Sequence, residues 1–144
     1  MPADAATTLI IDFDSTIVAV EGLDEIARLA QLRITRAHLD AVVKLLKKRI
    51  SPSFRRAKAE LRRNAGRIYV VSSGFRDYVV PVCAELGIPA DRVVANDFRW
   101  SKDGVATGYD EKSPLARPGG KAEAVRALKL AGTVVAVGDG ITDC

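Results

Sequence analysis

Two short apolar runs in this chain of 144 residues each end on aspartate, and nothing else in the sequence constrains the fold as tightly. Thr8-Leu9-Ile10-Ile11 leads into Asp12-Phe13-Asp14-Ser15-Thr16. Val134-Val135-Ala136-Val137 leads into Gly138-Asp139-Gly140-Ile141-Thr142-Asp143. A run this short, closed by acids, reads as a strand buried on both faces, the kind that parallel sheets are made of. A third β-rich run, Arg67 to Ser72, stops at Ser72-Ser73-Gly74, and Lys121 opens an amphipathic segment. Each polar group then falls at the carboxyl end of a strand or the start of a helix, the edge at which open α/β sheets bind ligands.

Helical patterns separate these strands. Leu23, Ile26, Ala27 and Ala30 share one helical face, as do Leu39, Val42, Val43, Leu46 and Ile50 in a segment that Thr35 can cap. Ser51-Pro52 reads as an N-cap followed by proline at the first helical position, with a stripe of Phe54, Ala57, Leu61 and Ala65 ending at Gly66. Phe75 to Leu86 reads as a helix stopped by Gly87, Asp91 to Trp100 and Val105 to Thr107 as strands joined at Lys102-Asp103-Gly104, and Lys121 to Leu130 as a helix. Strands alternating with helices imply a parallel α/β sheet with right-handed crossovers and helices on both faces. The long connection from Thr16 to Ser72 holds about three helices. We expect a core of residues 1–20 and 51–144 with a reduced helical cap at 21–50.

Composition excludes several classes. No run of some 18 apolar residues predicts a membrane span. The first residues, Met1-Pro2-Ala3-Asp4-Ala5, lack a signal-peptide pattern, and a cytoplasmic location is the default. Cys83 and Cys144 make neither a disulfide framework nor a zinc pattern, and the single histidine, His38, falls in a helix and reads as a surface residue. Charge is uneven: residues 44–67 hold ten Lys or Arg against Glu60 alone, a net of +9 in a chain of net +4. Such a face attracts phosphates or nucleic acid. The plainer reading, the solvated side of two amphipathic helices, is preferred, because the only aromatic among these charges, Phe54, falls on the apolar stripe.

Acids, one hydroxyl and one lysine at a single sheet edge suit a magnesium ion and a phosphate group. A lone aspartate after a strand is often just a cap or turn residue; the four motifs in this order are not explained that way. Hydrolysis of a phosphomonoester needs an in-line nucleophile and charge compensation on the phosphoryl oxygens. Asp12 is placed to attack, forming an aspartyl-phosphate. Asp14 can protonate the leaving alcohol and then activate water. Asp12 and Asp139, with the Asp14 carbonyl, offer the hard oxygen ligands that Mg²⁺ prefers. Ser72 and the following amides of Ser73 and Gly74 would bind phosphate oxygens, with the Lys121 ammonium balancing their charge.

These motifs resemble the haloacid dehalogenase (HAD) superfamily of phosphohydrolases, whose fold is a Rossmann-like parallel sheet. IIDFDSTIVAVEGLDEIARLA, IYVVSSGF, ANDFRW, GGKAEAVRAL and VVAVGDGITD are similar, in order, to the blocks of its phosphoserine phosphatase branch. The resemblance implies release of serine from phosphoserine, as in L-serine biosynthesis. It assigns Asp12 as nucleophile, Asp14 as acid/base and metal ligand, Asp139 as metal ligand, Ser72 and Lys121 as phosphate ligands, Asp143 as an outer metal-site or lysine-orienting carboxylate, and Glu21 as partner of the substrate amino group. Three features depart from the family. A cap segment whose arginine clamps the substrate carboxylate is missing near residues 33–50, Ser73 stands where glycine is usual, and the family continues beyond residue 144. These departures leave a promiscuous phosphomonoesterase and a catalytically impaired remnant as alternatives. A phospho-accepting signalling domain uses similar residue types but needs no D-x-D pair. The small cap and an edge strand at 133–137 lead us to expect a homodimer through the stripes at 23–32 and 37–50.

Overall fold

The computed structural model describes residues 7–19 and 33–138. Glu21, Asp139 and Asp143 lie outside the described residues, as does the helix expected at 23–32.

The described chain forms β1 (Thr8–Ile11), α1 (Arg36–Lys48), α2 (Pro52–Arg56), α3 (Lys58–Arg63), β2 (Ile68–Phe75), α4 (Arg76–Glu85), β3 (Val93–Asn96), β4 (Phe98–Trp100), β5 (Ala106–Tyr109), α5 (Gly120–Ala127) and β6 (Val134–Val137). Four strands make a parallel sheet in the order β3-β2-β1-β6. From β1 the chain moves outward through β2 to β3, then returns to the other side of β1 as β6. The order therefore reverses between β1 and β6, which is where open sheets form their ligand crevice. The register pairs Ile11 with Val137, and the Asp12 amide donates to the Val137 carbonyl at 2.9 Å.

Alternation of side chains divides the apolar residues between two layers. Ile11, Val70 and Val93 face a core shared with Leu39, Val42 and Leu46 of α1 and Val79 and Val82 of α4. Ile10 and Val71 face the opposite layer, with Leu115 and Ala124 of α5. Among the described residues β6 is an edge strand, and its Val134, Val135 and Val137 stay about 40% exposed.

Several local expectations hold for physical reasons. The Thr35 hydroxyl accepts from the His38 amide at 3.3 Å, and His38 Nδ1 accepts from the Thr35 amide at 3.1 Å, a reciprocal cap that gives the single histidine a structural task. Gly87, at φ +81°, ends α4: the Ile88 amide reaches the Cys83 carbonyl at 3.1 Å. The β4–β5 hairpin turns at Gly104, φ +74°, and docks through Phe98, whose ring stacks on Phe75 at 3.7 Å between centroids.

Others need correction. The strand read at 91–100 is two: β3 ends at Asn96, and beyond Asp97 the chain pairs with β5 instead. The helix read from Ser51 breaks at Ala57. Ser51 makes no side-chain cap; its hydroxyl donates to the Thr16 carbonyl at 3.1 Å, tying the loop after β1 to the start of α2. Finally, the stripe at 37–50 expected to pair two copies is covered within the chain, since Leu39, Val42 and Leu46 are buried in the core shared with α4. Leu46→Asp should therefore destabilise the fold rather than split an assembly. Losing the packed side chain costs about 3 kcal/mol or more, a fall of roughly 10 °C in melting temperature. A variant with an unchanged melting temperature but a smaller mass by light scattering would restore the stripe as an interface.

Candidate active site

The site is built at the switch point. β1 ends at Ile11, so Asp12 emerges at the carboxyl edge of the sheet with extended backbone, φ −72° and ψ 156°. The following turn places Asp14 at ψ 136° and Ser15 in the left-handed region, φ 55°. A non-glycine residue there costs free energy and persists only where its surroundings impose it. Here the surroundings are the Ser51 amide on the Ile17 carbonyl (2.8 Å) and the Ala19 amide on the Arg49 carbonyl (2.9 Å). The turn thus holds two carboxylates at one edge, Asp12 8% exposed and Asp14 half-buried.

Lys121 comes from the first turn of α5, on the other side of the crevice. Its Nζ lies 2.7 Å from Asp12 Oδ1, with the two side chains 21% and 9% exposed. A charge-assisted contact this short between residues 109 apart in sequence is a strong geometric statement. The Thr16 hydroxyl approaches Asp12 Oδ2 at 3.5 Å, a long contact. Asp12 and Lys121 open onto a groove of about 270 Å³ whose walls include Ile10, Val71, Val125 and Ala136. Apolar walls strengthen charge interactions inside such a groove.

The third arm is a bulge in β2. Val71 pairs with Val94, but the next pair is Phe75 with Asn96, so β2 spends two extra residues at Ser72-Ser73-Gly74. Bulges of this kind re-aim backbone and side chains beside functional sites. Ser72 is fully buried; its Oγ accepts from the Gly74 amide at 2.9 Å and keeps a hydrogen to donate. Ser73 is exposed. Gly74 has no room for a side chain: a Cβ there would stand 2.3 Å from the Tyr78 hydroxyl.

Asp12, Asp14, Ser72, Ser73, Gly74 and Lys121 therefore sit on three arms around the carboxyl edges of β1 and β2, while Glu21, Asp139 and Asp143 lie outside the described residues. Among the described residues no three His, Cys, Asp or Glu side chains form a metal cage. Asp12 and Asp14 offer oxygen donors of the type a hard cation takes. Cys83 is no rival nucleophile, since burial pushes its thiol up to about 12. Among the described residues no helix is long and apolar enough to cross a membrane. Three residues escaped the sequence reading: Thr16, Asn96 and Gly120. Thr16 is the last letter of the D-x-D-x-T string and could have been found there. Asn96 and Gly120 stand in the ANDFRW and GGKAEAVRAL blocks, but nothing local says what either does.

The profile of the haloacid dehalogenase-like hydrolase family matches residues 24–144. Phosphoserine phosphatase, chloroplastic, of Arabidopsis thaliana is 32% identical over 164 positions, covering 92% of this chain and 56% of that protein. The chain thus spans little more than half of that relative's length. Because 164 exceeds the 144 residues here, at least 20 of those positions face no residue of this chain. A phosphoserine phosphohydrolase-like protein from Francisella tularensis subsp. tularensis shares the fold, with TM-score 0.78 and 20% identity over 96% of this chain and 80% of that one. A crystal structure of phosphoserine phosphatase in its apo form gives TM-score 0.66 and 28% identity, over 96% and 80% of the two chains.

Proposed function

The chain belongs to the haloacid dehalogenase-like hydrolase family, and from that premise we propose that it hydrolyses small phosphomonoesters, phosphoserine first among them, through an aspartyl-phosphate on Asp12. The observation that carries this reading is the Asp12–Lys121 pair, 2.7 Å apart at the point where the strand order reverses.

A carboxylate of Asp12 forms a bond to phosphorus while the bond from phosphorus to the ester oxygen breaks. The leaving oxygen takes a proton from Asp14. Asp14, now ionised, accepts a proton from water as that water attacks the aspartyl-phosphate and returns Asp12 as a carboxylate. Lys121 balances charge on the non-bridging oxygens, and the Ser72 hydroxyl and the backbone of the β2 bulge bind them. Asp12, Asp14 and Asp139 would hold Mg²⁺, which when bound offsets the repulsion between carboxylate and phosphate. Glu21 would receive the substrate ammonium, and Asp143 would orient the metal site or Lys121.

The unmatched positions in the plant relative favour a second shade of this reading. They fit the loss of the segment that supplies a carboxylate clamp, so selectivity should be shallow. Phosphate release from a panel of phosphomonoesters, with Mg²⁺ and with excess chelator, tests both. We expect release that the chelator abolishes and that Mg²⁺ restores, with phosphoserine ahead of simple phosphomonoesters by about tenfold or less, the scale of one lost solvent-accessible contact. Release indifferent to chelator would sink the mechanism. A preference of several thousandfold would mean that another cation, such as Arg49 beside the Asp12 loop, replaces the clamp.

A further inference from the structure

We propose that Asn96 is a positioning residue that sets the separation between the two phosphate-binding arms, the Ser72–Gly74 bulge and the helix that carries Lys121. The proposal rests on the reading of the site given above.

Asn96 ends β3 and is 3% exposed. Its Nδ2 donates to the Ser73 carbonyl at 2.8 Å and to the Leu115 carbonyl at 3.2 Å. One amide nitrogen thus bridges the β2 bulge and the turn before α5. Ser73 is the middle of the bulge. Leu115 belongs to the turn Pro114–Ala116, and the Pro114 carbonyl stands so close to Gly120 that a Cβ on Gly120 would fall 1.5 Å from its oxygen. Gly120 is the first residue of α5, and Lys121 follows it. Contacts therefore run unbroken from the bulge through Asn96 and the Pro114–Ala116 turn to the Lys121–Asp12 pair.

The amide orientation is set by chemistry. Both partners are carbonyl oxygens, so only the NH₂ end satisfies them. The Oδ1 end has no hydrogen-bond partner among the described residues although it is buried. Native proteins rarely leave such an acceptor bare, and an exception calls for a reason; the reason here is that both amide hydrogens are committed to the two arms. Aspartate has the same shape and neither hydrogen. Serine keeps one donor on a shorter arm. Glutamine carries the amide one methylene too far.

The test compares wild type with Asn96→Ser and Asn96→Asp in three measurements: KM and kcat for phosphoserine, inorganic phosphate binding by calorimetry with Mg²⁺ present, and thermal melting. A displacement of about 1 Å at a reacting centre costs about 100-fold, so kcat/KM should fall by that order in Asn96→Asp and by about tenfold in Asn96→Ser. Phosphate affinity should fall in step. A residue that merely stabilised the fold would lower the active fraction and the melting temperature but leave KM and phosphate affinity of the folded protein unchanged. Folded Asn96→Ser with both within twofold of wild type would overturn the proposal, whether or not Asn96→Asp folds. Calorimetry needs no turnover. A wild type that binds phosphate but releases none would sink the proposed reaction, and the ratio of affinities would still decide on Asn96. A wild type that does neither would overturn both.

Discussion

Asp12→Asn should reduce phosphate release by at least about 10⁴-fold, because an amide is neither a nucleophile nor a metal-binding carboxylate and the attacking group cannot be bypassed. The substitution keeps the volume of the side chain, so the packing of the β1 edge is retained. The ion pair to Lys121 at 2.7 Å is lost, but its loss moves stability far less than it moves rate. Both groups keep some contact with solvent, 9% and 21%, and such pairs are worth far less than their Coulomb energy in a dry interior. The melting temperature should shift by a few degrees at most. Acid-quenched wild type, mixed with labelled substrate, should retain phosphate that hydroxylamine removes, and the variant should retain none. Residual turnover above a few per cent in Asp12→Asn would mean that some other group attacks.

The parts of this site that were legible in sequence are those whose signal is local. Asp12 and Lys121 follow or open a regular element, and Ser72 closes an apolar run, although β2 continues past it through a bulge to Phe75. The strand register then brings them together, because a parallel sheet aligns all carboxyl ends on one side. The role of Asn96, inside the ANDFRW block, is illegible for the opposite reason. Its two acceptors lie 23 and 19 residues away, one in a bulge and one in a turn, and neither irregularity follows from propensity. The same limit governs the larger errors. The apolar stripe of α1 announces that something covers Leu46, not that α4 of the same chain does. The run from Val93 to Trp100 is strand-like on both sides of Asn96-Asp97, a pair disfavoured in strands, and the competing partner β5 fixes the split at Asp97. Ser51 looks like a cap because Pro52 follows it, yet the carbonyl of Thr16, 35 residues earlier, takes its hydroxyl.

Gly120→Ala separates local propensity from tertiary space in a single measurement. On propensity alone, replacing glycine in the first turn of α5 should stabilise the helix by up to about 1 kcal/mol. Gly120 has no left-handed φ that would forbid alanine. What forbids it is room: the new Cβ would lie 1.5 Å from the Pro114 oxygen, 2.3 Å from the Pro114 carbonyl carbon and 3.1 Å from the Leu115 nitrogen. All three are backbone atoms, so no rotamer change relieves the clash and the helix start or the turn must move. Forced overpacking costs about 1–3 kcal/mol, which outweighs the propensity gain. The movement falls on the residue before Lys121, and a shift of about 1 Å there should lower kcat/KM by about 100-fold or more. Gly119→Ala is the control. Gly119 sits at φ +74° with nothing within 4 Å of a built Cβ, so alanine there meets backbone strain of about 1 kcal/mol without a collision. Its activity should stay within a few fold of wild type. Phosphate release and melting curves on the two variants decide the matter. Equal activity in both would show that the close approach of Gly120 to Pro114 does not seat Lys121.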